Sequence, residues 1–179
     1  MILVIQICKE TFHYFEFVKP IEDIIKKMDV ELLSLNYKKI TKEILQKADR
    51  IIICGTSLKD NGFIDDVSDF SWIKNFNKPI LGICGGMHIL GLIYGGKLNS
   101  KKEIGLKEIE IKKDFFGIVG KTEVYELHNF YVESNEFDVI ATSNYCPQVI
   151  IHKTKSFYAV LFHPEVRNKK LVENFVKKS

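Results

Sequence analysis

Four short apolar runs in the first half of the chain, each followed by residues with helical spacing, constrain the fold most strongly. The runs are ILVIQI at 2–7, VELLSL at 30–35, RIIIC at 50–54 and PILGI at 79–83. Continuous apolar strands that alternate with amphipathic helices are typical of a parallel sheet covered on both faces. The sequence therefore predicts an α/β fold with a mostly parallel central sheet.

Apolar residues at helical spacing predict the helices that separate these strands. We expect helices from Pro20, over about 41–47 with Thr41 as N-cap, over 65–76, and from the end of the fourth run to about Tyr94.

The second half of the chain has a different pattern. LKEIEIKK at 106–113 alternates apolar and polar residues, as half-buried antiparallel strands do. Further strands are predicted at 121–126, 137–142, 147–152 and 157–162, and a closing helix at about 168–178. Because no linker-like segment interrupts the chain, residues 1–179 are expected to form one α/β domain with a mixed sheet.

Composition excludes several classes of function. Hydrophobic residues make up 46% and charged residues 27% of the chain, and the formal net charge is only +3. A small, evenly spread charge argues against nucleic acid as a partner. No apolar run approaches the about 20 residues that span a bilayer, and the N-terminus does not resemble a signal peptide. We therefore expect a cytoplasmic protein without a membrane partner.

Cys84 stands where the fourth apolar run ends, and two glycines follow it at once. Active sites of such sheets form at the carboxyl ends of the parallel strands. A sharp turn here would raise the thiol above the sheet and place the next N–H, that of Gly85, at a helix N-terminus that favours anions. Gly82 and Gly86 would leave room for the chain to pass. The segment fits a nucleophile; a buried structural cysteine is the alternative.

A base for this thiol is offered by AVLFHPEV at 159–166. In an extended chain residues i and i+2 point the same way, and Pro164 favours extended geometry at His163. Glu165 could then hold one imidazole nitrogen while the other faces the thiol. A surface histidine beside a turn is the alternative.

The segments GICGGM at 82–87 and FHPEV at 162–166 resemble the class I glutamine amidotransferases in order and separation. HNFYV at 128–132, ATSNYCP at 141–147 and FHPEVRN at 162–168 are most similar to the amidotransferase subunit or domain of GMP synthase. The resemblance covers nearly the whole chain. It implies a three-layer, flavodoxin-like fold.

The resemblance also implies roles for individual residues. Cys84 matches the nucleophile, His163 the base and Glu165 the third member of a triad that hydrolyses glutamine through a thioester. The other implied positions are Gly55 and Gly85 in the oxyanion hole and Thr56, His88, His128 and Asn129 in the substrate site. L-glutamine is the implied substrate and a separate synthetase the implied acceptor of ammonia. No cofactor and no metal are expected.

Several positions depart from the family pattern. Cys54-Gly55-Thr56 stands where the family has Gly-Gly-Pro, and His88 and Leu161 stand where glutamines are common. Tyr131 replaces an acidic residue of the GMP synthase branch. We therefore expect activity that depends on a partner. Two alternatives remain open: a non-hydrolysing regulatory relative, and a cysteine hydrolase of another γ-glutamyl compound.

Cys8 and Cys54 also follow predicted parallel strands. Both should therefore emerge at the same sheet edge as Cys84. Small buried hydrophobes are one interpretation. A redox-sensitive or metal-binding cluster with Cys84 and His163 is the other.

Overall fold

A computed structural model describes residues 1–178 of the chain. Its main sheet has seven strands in the order β2-β1-β3-β4-β9-β8-β7. The strands are β1 Ile2–Gln6, β2 Leu32–Asn36, β3 Arg50–Ile53, β4 Ile80–Ile83, β7 Phe137–Thr142, β8 Pro147–His152 and β9 Phe157–Val160. The first four strands and β9 run parallel to one another, whereas β8 is antiparallel to both β9 and β7. The predicted mostly parallel sheet is confirmed.

Helices cover both faces of this sheet. The α-helices are α1 Thr11–His13, α2 Lys19–Lys26, α3 Lys42–Lys47, α4 Gly62–Asp65, α5 Gly85–Ile93 and α6 Lys169–Lys177. Alternate residues of β1 enter different cores, because successive side chains of a strand point to opposite faces. Val4 packs in the core that contains α2 and α6, and Ile5 in the core that contains α5.

The helix predicted from Pro20 is confirmed within one residue, because α2 begins at Lys19 with Pro20 in its first turn. A π-helical turn, Tyr14–Val18, precedes it and joins it to α1. A second helix prediction differs from the structure. The helix predicted over 65–76 is mostly a 3₁₀ helix, Val67–Asn75, preceded by the short α4. Its apolar residues, Val67, Phe70, Ile73 and Phe76, recur every three positions. Residues i and i+3 are eclipsed in a 3₁₀ helix, so this spacing fits the observed conformation better than an α-helix.

The predicted mixed sheet is confirmed by the antiparallel strands β7 and β8, but the middle of the chain lies outside it. Strands β5 Lys97–Phe115 and β6 Ile118–Glu133 form a separate two-stranded antiparallel ribbon. The segments predicted at 106–113 and 121–126 are parts of it. Val132 of the ribbon packs so closely on α5 that a Cβ at Gly91 would lie 2.4 Å from Val132 Cγ2. Leu127 of the ribbon lies at the carboxyl end of β4, where its carbonyl oxygen is 3.6 Å from the Cys84 sulfur.

Within residues 1–178, no helix combines the length and the apolar character needed to cross a membrane.

Candidate active site

Cys84 occupies a strained turn between β4 and α5. Its φ of 49° and ψ of −102° lie outside the usual regions for a residue with a side chain. The turn is tight because a Cβ at Gly82 would lie 2.6 Å from the Gly86 carbonyl, and one at Gly86 would lie 2.3 Å from the carbonyl oxygen of Ile53. Glycine is therefore required at both positions, as the sequence predicts. The Cys84 sulfur lies 3.6 Å from the carbonyl oxygen of Leu127 on β6.

His163 and Glu165 lie side by side just beyond β9, the strand next to β4. Nδ1 of His163 is 2.7 Å from Oε1 of Glu165, and both side chains are almost fully buried. The Nε2 atom of His163 is buried and makes no hydrogen bond. Burial alone would lower the pKa of His163, but the charges of Glu165 and Cys84 outweigh it and hold the pKa well above its usual value.

Gly55 brings the two parts of the site together. A Cβ built at Gly55 would lie 2.8 Å from His163 Cε1 and 3.2 Å from Cys84 Cβ. The imidazole and the thiol side chain therefore flank the same point on the backbone. Gly85 is the first residue of α5, so its N–H has no acceptor within the helix. These are the two glycines that the sequence predicts as oxyanion donors.

A small pocket adjoins Cys84. All four residues predicted to bind substrate line it: Thr56, His88, His128 and Asn129. The loop 56–61, Phe63 and residues 127–130 of β6 form most of the remaining wall. The cavity volume is only about 10 Å³. Such a volume holds about one water molecule, so a glutamine cannot enter without movement of the wall.

His88 lies one turn after Cys84 on α5 and is almost fully buried. Its Nε2 atom donates to the carbonyl oxygen of Phe130, 3.0 Å away, and its ring stacks on Phe63. Burial lowers the pKa of His88 to about 4. His88 is therefore a neutral donor whose orientation is fixed by the β6 backbone, with Nδ1 unpartnered.

The loop over the pocket, residues 54–62, is tied down on two sides. Asp60 accepts hydrogen bonds from the N–H groups of Lys9 and Glu10 at 2.9 and 3.3 Å, and its Oδ2 lies 2.8 Å from His13 Nδ1. On the other side, Asn129 Nδ2 donates to the carbonyl oxygen of Leu58 over 2.8 Å. The pocket is closed by a loop with specific anchors.

Cys8 and Cys54 pack in the same apolar core as Cys84. Burial raises the pKa of the Cys8 thiol to about 11 and that of Cys54 well above its usual value. Both thiols are therefore protonated at neutral pH, which favours their interpretation as small hydrophobes. In residues 1–178 they are not part of a cluster with metal-ligand spacing.

The sequence analysis missed a second polar cluster behind the pocket. His128, which also lines the pocket, lies within β6 and is 2% exposed. Glu103, Glu126 and Cys146 surround it. The i, i+2 spacing of Glu126 and His128 was the available signal, but their contacts with Glu103 and Cys146 depend on pairings that only the fold reveals.

Comparison with known proteins agrees with this fold. Residues 13–179 match the family model of glutamine amidotransferase class-I. The chain belongs to the class I glutamine amidotransferase family.

Curated relatives of the chain include two kinds of synthase subunit. The glutamine-hydrolysing GMP synthase subunit of Pyrococcus abyssi is 35% identical over 135 residues, which cover 69% of this chain and 71% of that protein. The corresponding protein of Methanobrevibacter smithii is 34% identical, over 58% of this chain and 61% of that one. Imidazole glycerol phosphate synthase subunit HisH 1 of Campylobacter jejuni is 30% identical over a match that covers 80% of this chain and 88% of that protein.

A solved structure shares the fold over nearly the whole chain. It is a Thermoplasma acidophilum protein provisionally described as a GMP synthase subunit, with a TM-score of 0.85 and 23% identity. The superposition covers 98% of this chain and 91% of that one.

Proposed function

We propose that the chain hydrolyses the side-chain amide of L-glutamine through a thioester on Cys84 and delivers the ammonia to a separate synthetase. The observation that carries this proposal is the arrangement around Gly55, where Cys84 and His163 approach the same point. Glu165 holds Nδ1 of the imidazole, which leaves Nε2 for the thiol. A nucleophile, a base and a group that orients the base are the parts that acyl transfer requires.

The reaction follows from these positions. Nε2 of His163 takes the thiol proton, and the sulfur of Cys84 attacks the amide carbon. The oxyanion that forms would accept hydrogen bonds from the N–H groups of Gly85 and Gly55. The imidazolium then gives its proton to the departing nitrogen, and ammonia leaves. Water, deprotonated by His163, attacks the thioester, and glutamate and the free thiol are released.

Glu165 contributes by stabilising the charged imidazole. The pKa of His163 is raised, which means that the negative charge of Glu165 favours the protonated ring over the neutral ring. The imidazolium that forms during the reaction is stabilised in the same way. Since both groups are buried, the interaction is screened little by solvent.

The closed pocket supports dependence on a partner. With a cavity of about 10 Å³, the site has no room for glutamine until the loop 54–62 moves. Docking of a synthetase could supply the free energy of this movement and couple glutamine entry to the presence of the acceptor. The names of the relatives, subunits of GMP synthase and of imidazole glycerol phosphate synthase, support a separate partner chain. The names of two of these relatives as GMP synthase subunits favour a GMP synthase-like acceptor.

Glutamate release from glutamine, measured with the chain alone and with a GMP synthase synthetase subunit, tests the proposal. We expect slow turnover alone and a large increase with the partner. Cys84→Ser should abolish both rates, whereas Cys8→Ser should leave them nearly unchanged.

Other outcomes assign other functions. Turnover of about 10 s⁻¹ without a partner, an ordinary enzyme rate, would overturn partner dependence. Hydrolysis of a γ-glutamyl anilide but not of glutamine would indicate a different amidase. Partner binding without hydrolysis in any mixture would indicate a regulatory relative.

A further inference from the structure

We propose that Glu103, Glu126, His128 and Cys146 form a closed binding site for one divalent transition metal ion, with Zn²⁺ the best match. The cluster adjoins the candidate substrate pocket, because His128 also lines that pocket. The site is separate from the Cys84 chemistry and does not depend on the proposed glutaminase activity.

The ligand atoms are already close together. One atom each from Glu103, His128 and Cys146 lies within 4.8 Å of the others. Nε2 of His128 is 3.1 Å from Oε2 of Glu126 and 3.5 Å from Oε2 of Glu103. Tetrahedral Zn²⁺ with bonds of about 2.0 to 2.3 Å sets its ligand atoms about 3.3 to 3.8 Å apart. Glu126 contacts His128 but is not part of that three-residue group, so its side chain would have to rotate to bring the fourth ligand atom into place.

The charges of the cluster require compensation. Glu126 is fully buried and Glu103 is 7% exposed, and in the described part of the chain neither carboxylate pairs with a lysine or arginine. Both oxygens of Glu126 and both ring nitrogens of His128 are buried without a hydrogen bond. Two carboxylates around one imidazole leave surplus negative charge in a buried site, which is costly. A divalent cation would neutralise it and occupy the unpartnered atoms.

Neighbouring groups already orient the ligands. Ser143 Oγ donates to Oε2 of Glu103 over 2.8 Å, and Gln148 Nε2 donates to the same oxygen over 3.4 Å. The N–H of Cys146 donates to Ser143 Oγ over 3.0 Å, which fixes the turn that presents the thiol. Metal ligands in proteins are commonly held by such outer hydrogen bonds.

The choice of metal follows from the donor set. One thiolate, one imidazole and carboxylate oxygens suit Zn²⁺, whereas Ca²⁺ and Mg²⁺ prefer oxygen ligands alone. The thiol proton of Cys146 would pass to solvent on coordination. Because four protein ligands fill a tetrahedron, the site would be structural, with no position left for a substrate.

Such a metal would join elements that are otherwise in different sheets. Glu103 pairs with His128 across β5 and β6, and Cys146 belongs to the turn between β7 and β8 of the main sheet. The bond would therefore fasten the ribbon to the main sheet. Leu127, which contacts the Cys84 sulfur, directly precedes His128, so the same bond would fix the roof of the candidate active site.

Metal titration of the chelator-treated chain tests the proposal. We expect one equivalent of Zn²⁺ per chain, a higher midpoint of thermal unfolding with the metal, and with Co²⁺ a near-ultraviolet band from thiolate ligation. Cys146→Ser should abolish this band, and Glu103→Gln should weaken Zn²⁺ binding at least tenfold. The buried Cys8→Ser is the matched control and should bind as the parent does.

Several results would overturn the site. They are the absence of stoichiometric binding, binding that is unaffected in both Cys146→Ser and Glu103→Gln, and a cobalt band that is lost in Cys84→Ser but kept in Cys146→Ser. The last result would place the metal near Cys84, with Cys8 and Cys54, and not at Cys146. Circular dichroism of each metal-free variant shows whether it is folded, and Glu126→Gln replaces any variant that is not.

Discussion

The Glu165 carboxylate lies 2.7 Å from Nδ1 of His163 in a site where neither group meets solvent. The pairing fixes which imidazole nitrogen is free, because the carboxylate can only accept a hydrogen bond. It also keeps a positive charge on the ring favourable in spite of burial. The chemistry proposed for Cys84 therefore depends on a residue that does not touch the substrate.

Glu165→Gln should reduce glutamine hydrolysis by roughly 10²- to 10⁴-fold in kcat, because the amide keeps the shape but not the charge that favours the imidazolium. The rate is measured with the partner present, and the pKa of His163 is followed by NMR. We expect this pKa to fall. A variant with unchanged kcat would show that Glu165 has no role in the chemistry.

Gly55→Ala should disable the site without unfolding the protein. The new methyl group would lie 2.8 Å from His163 Cε1, so the imidazole must move. A displacement of about an ångström costs on the order of 100-fold in rate. Gly62→Ala, in the same loop, is the matched control, because its methyl group would meet nothing within 4 Å. Equal kcat values for the two variants would contradict this placement of His163.

The parts of this structure that the sequence predicts are those determined by local patterns. Continuous apolar runs predict the buried parallel strands of the first half. Cys84 and His163 are paired from their motifs and from the family resemblance, and in the structure the strands that they follow, β4 and β9, are neighbours.

Pairings between distant segments could not be predicted in this way. Glu103 meets His128 through the register of the long β5–β6 ribbon, which includes an irregularity between Ser100 and Glu103. A shift of one residue would turn each side chain to the other face. The alternating pattern predicted strands here, but not that they would leave the main sheet.

Cys84→Gly should be more stable than Cys84→Ala. Glycine adopts a φ of 49° readily, whereas a side chain there costs about 1 to 3 kcal/mol. Chemical denaturation of both variants measures the difference in the free energy of unfolding. Cys54 has no positive φ, so there the order should reverse. Cys54→Ala should be more stable than Cys54→Gly, because glycine gains more conformational freedom on unfolding. Equal stabilities at position 84 would mean that the turn holds no strain.

His88 should make the fold sensitive to mild acid. Its pKa of about 4 in the folded state lies below the usual value of 6.5, so the unfolded chain binds more protons between these values. This contribution to stability is complete above about pH 6.5 and is lost as the pH falls through 4. Between pH 7 and pH 5 the loss is about 2 kcal/mol in the free energy of unfolding.

The variant His88→Gln isolates this effect, because its amide can still donate to the carbonyl oxygen of Phe130 but does not titrate. At pH 8 the difference in the free energy of unfolding between parent and variant gives the packing cost of the substitution. At pH 5 the difference should shift by about 2 kcal/mol in favour of the variant. The same difference in the free energy of unfolding at both pH values would show that His88 does not titrate in this range. Its burial against Phe63 and β6 would then have no effect on stability in acid.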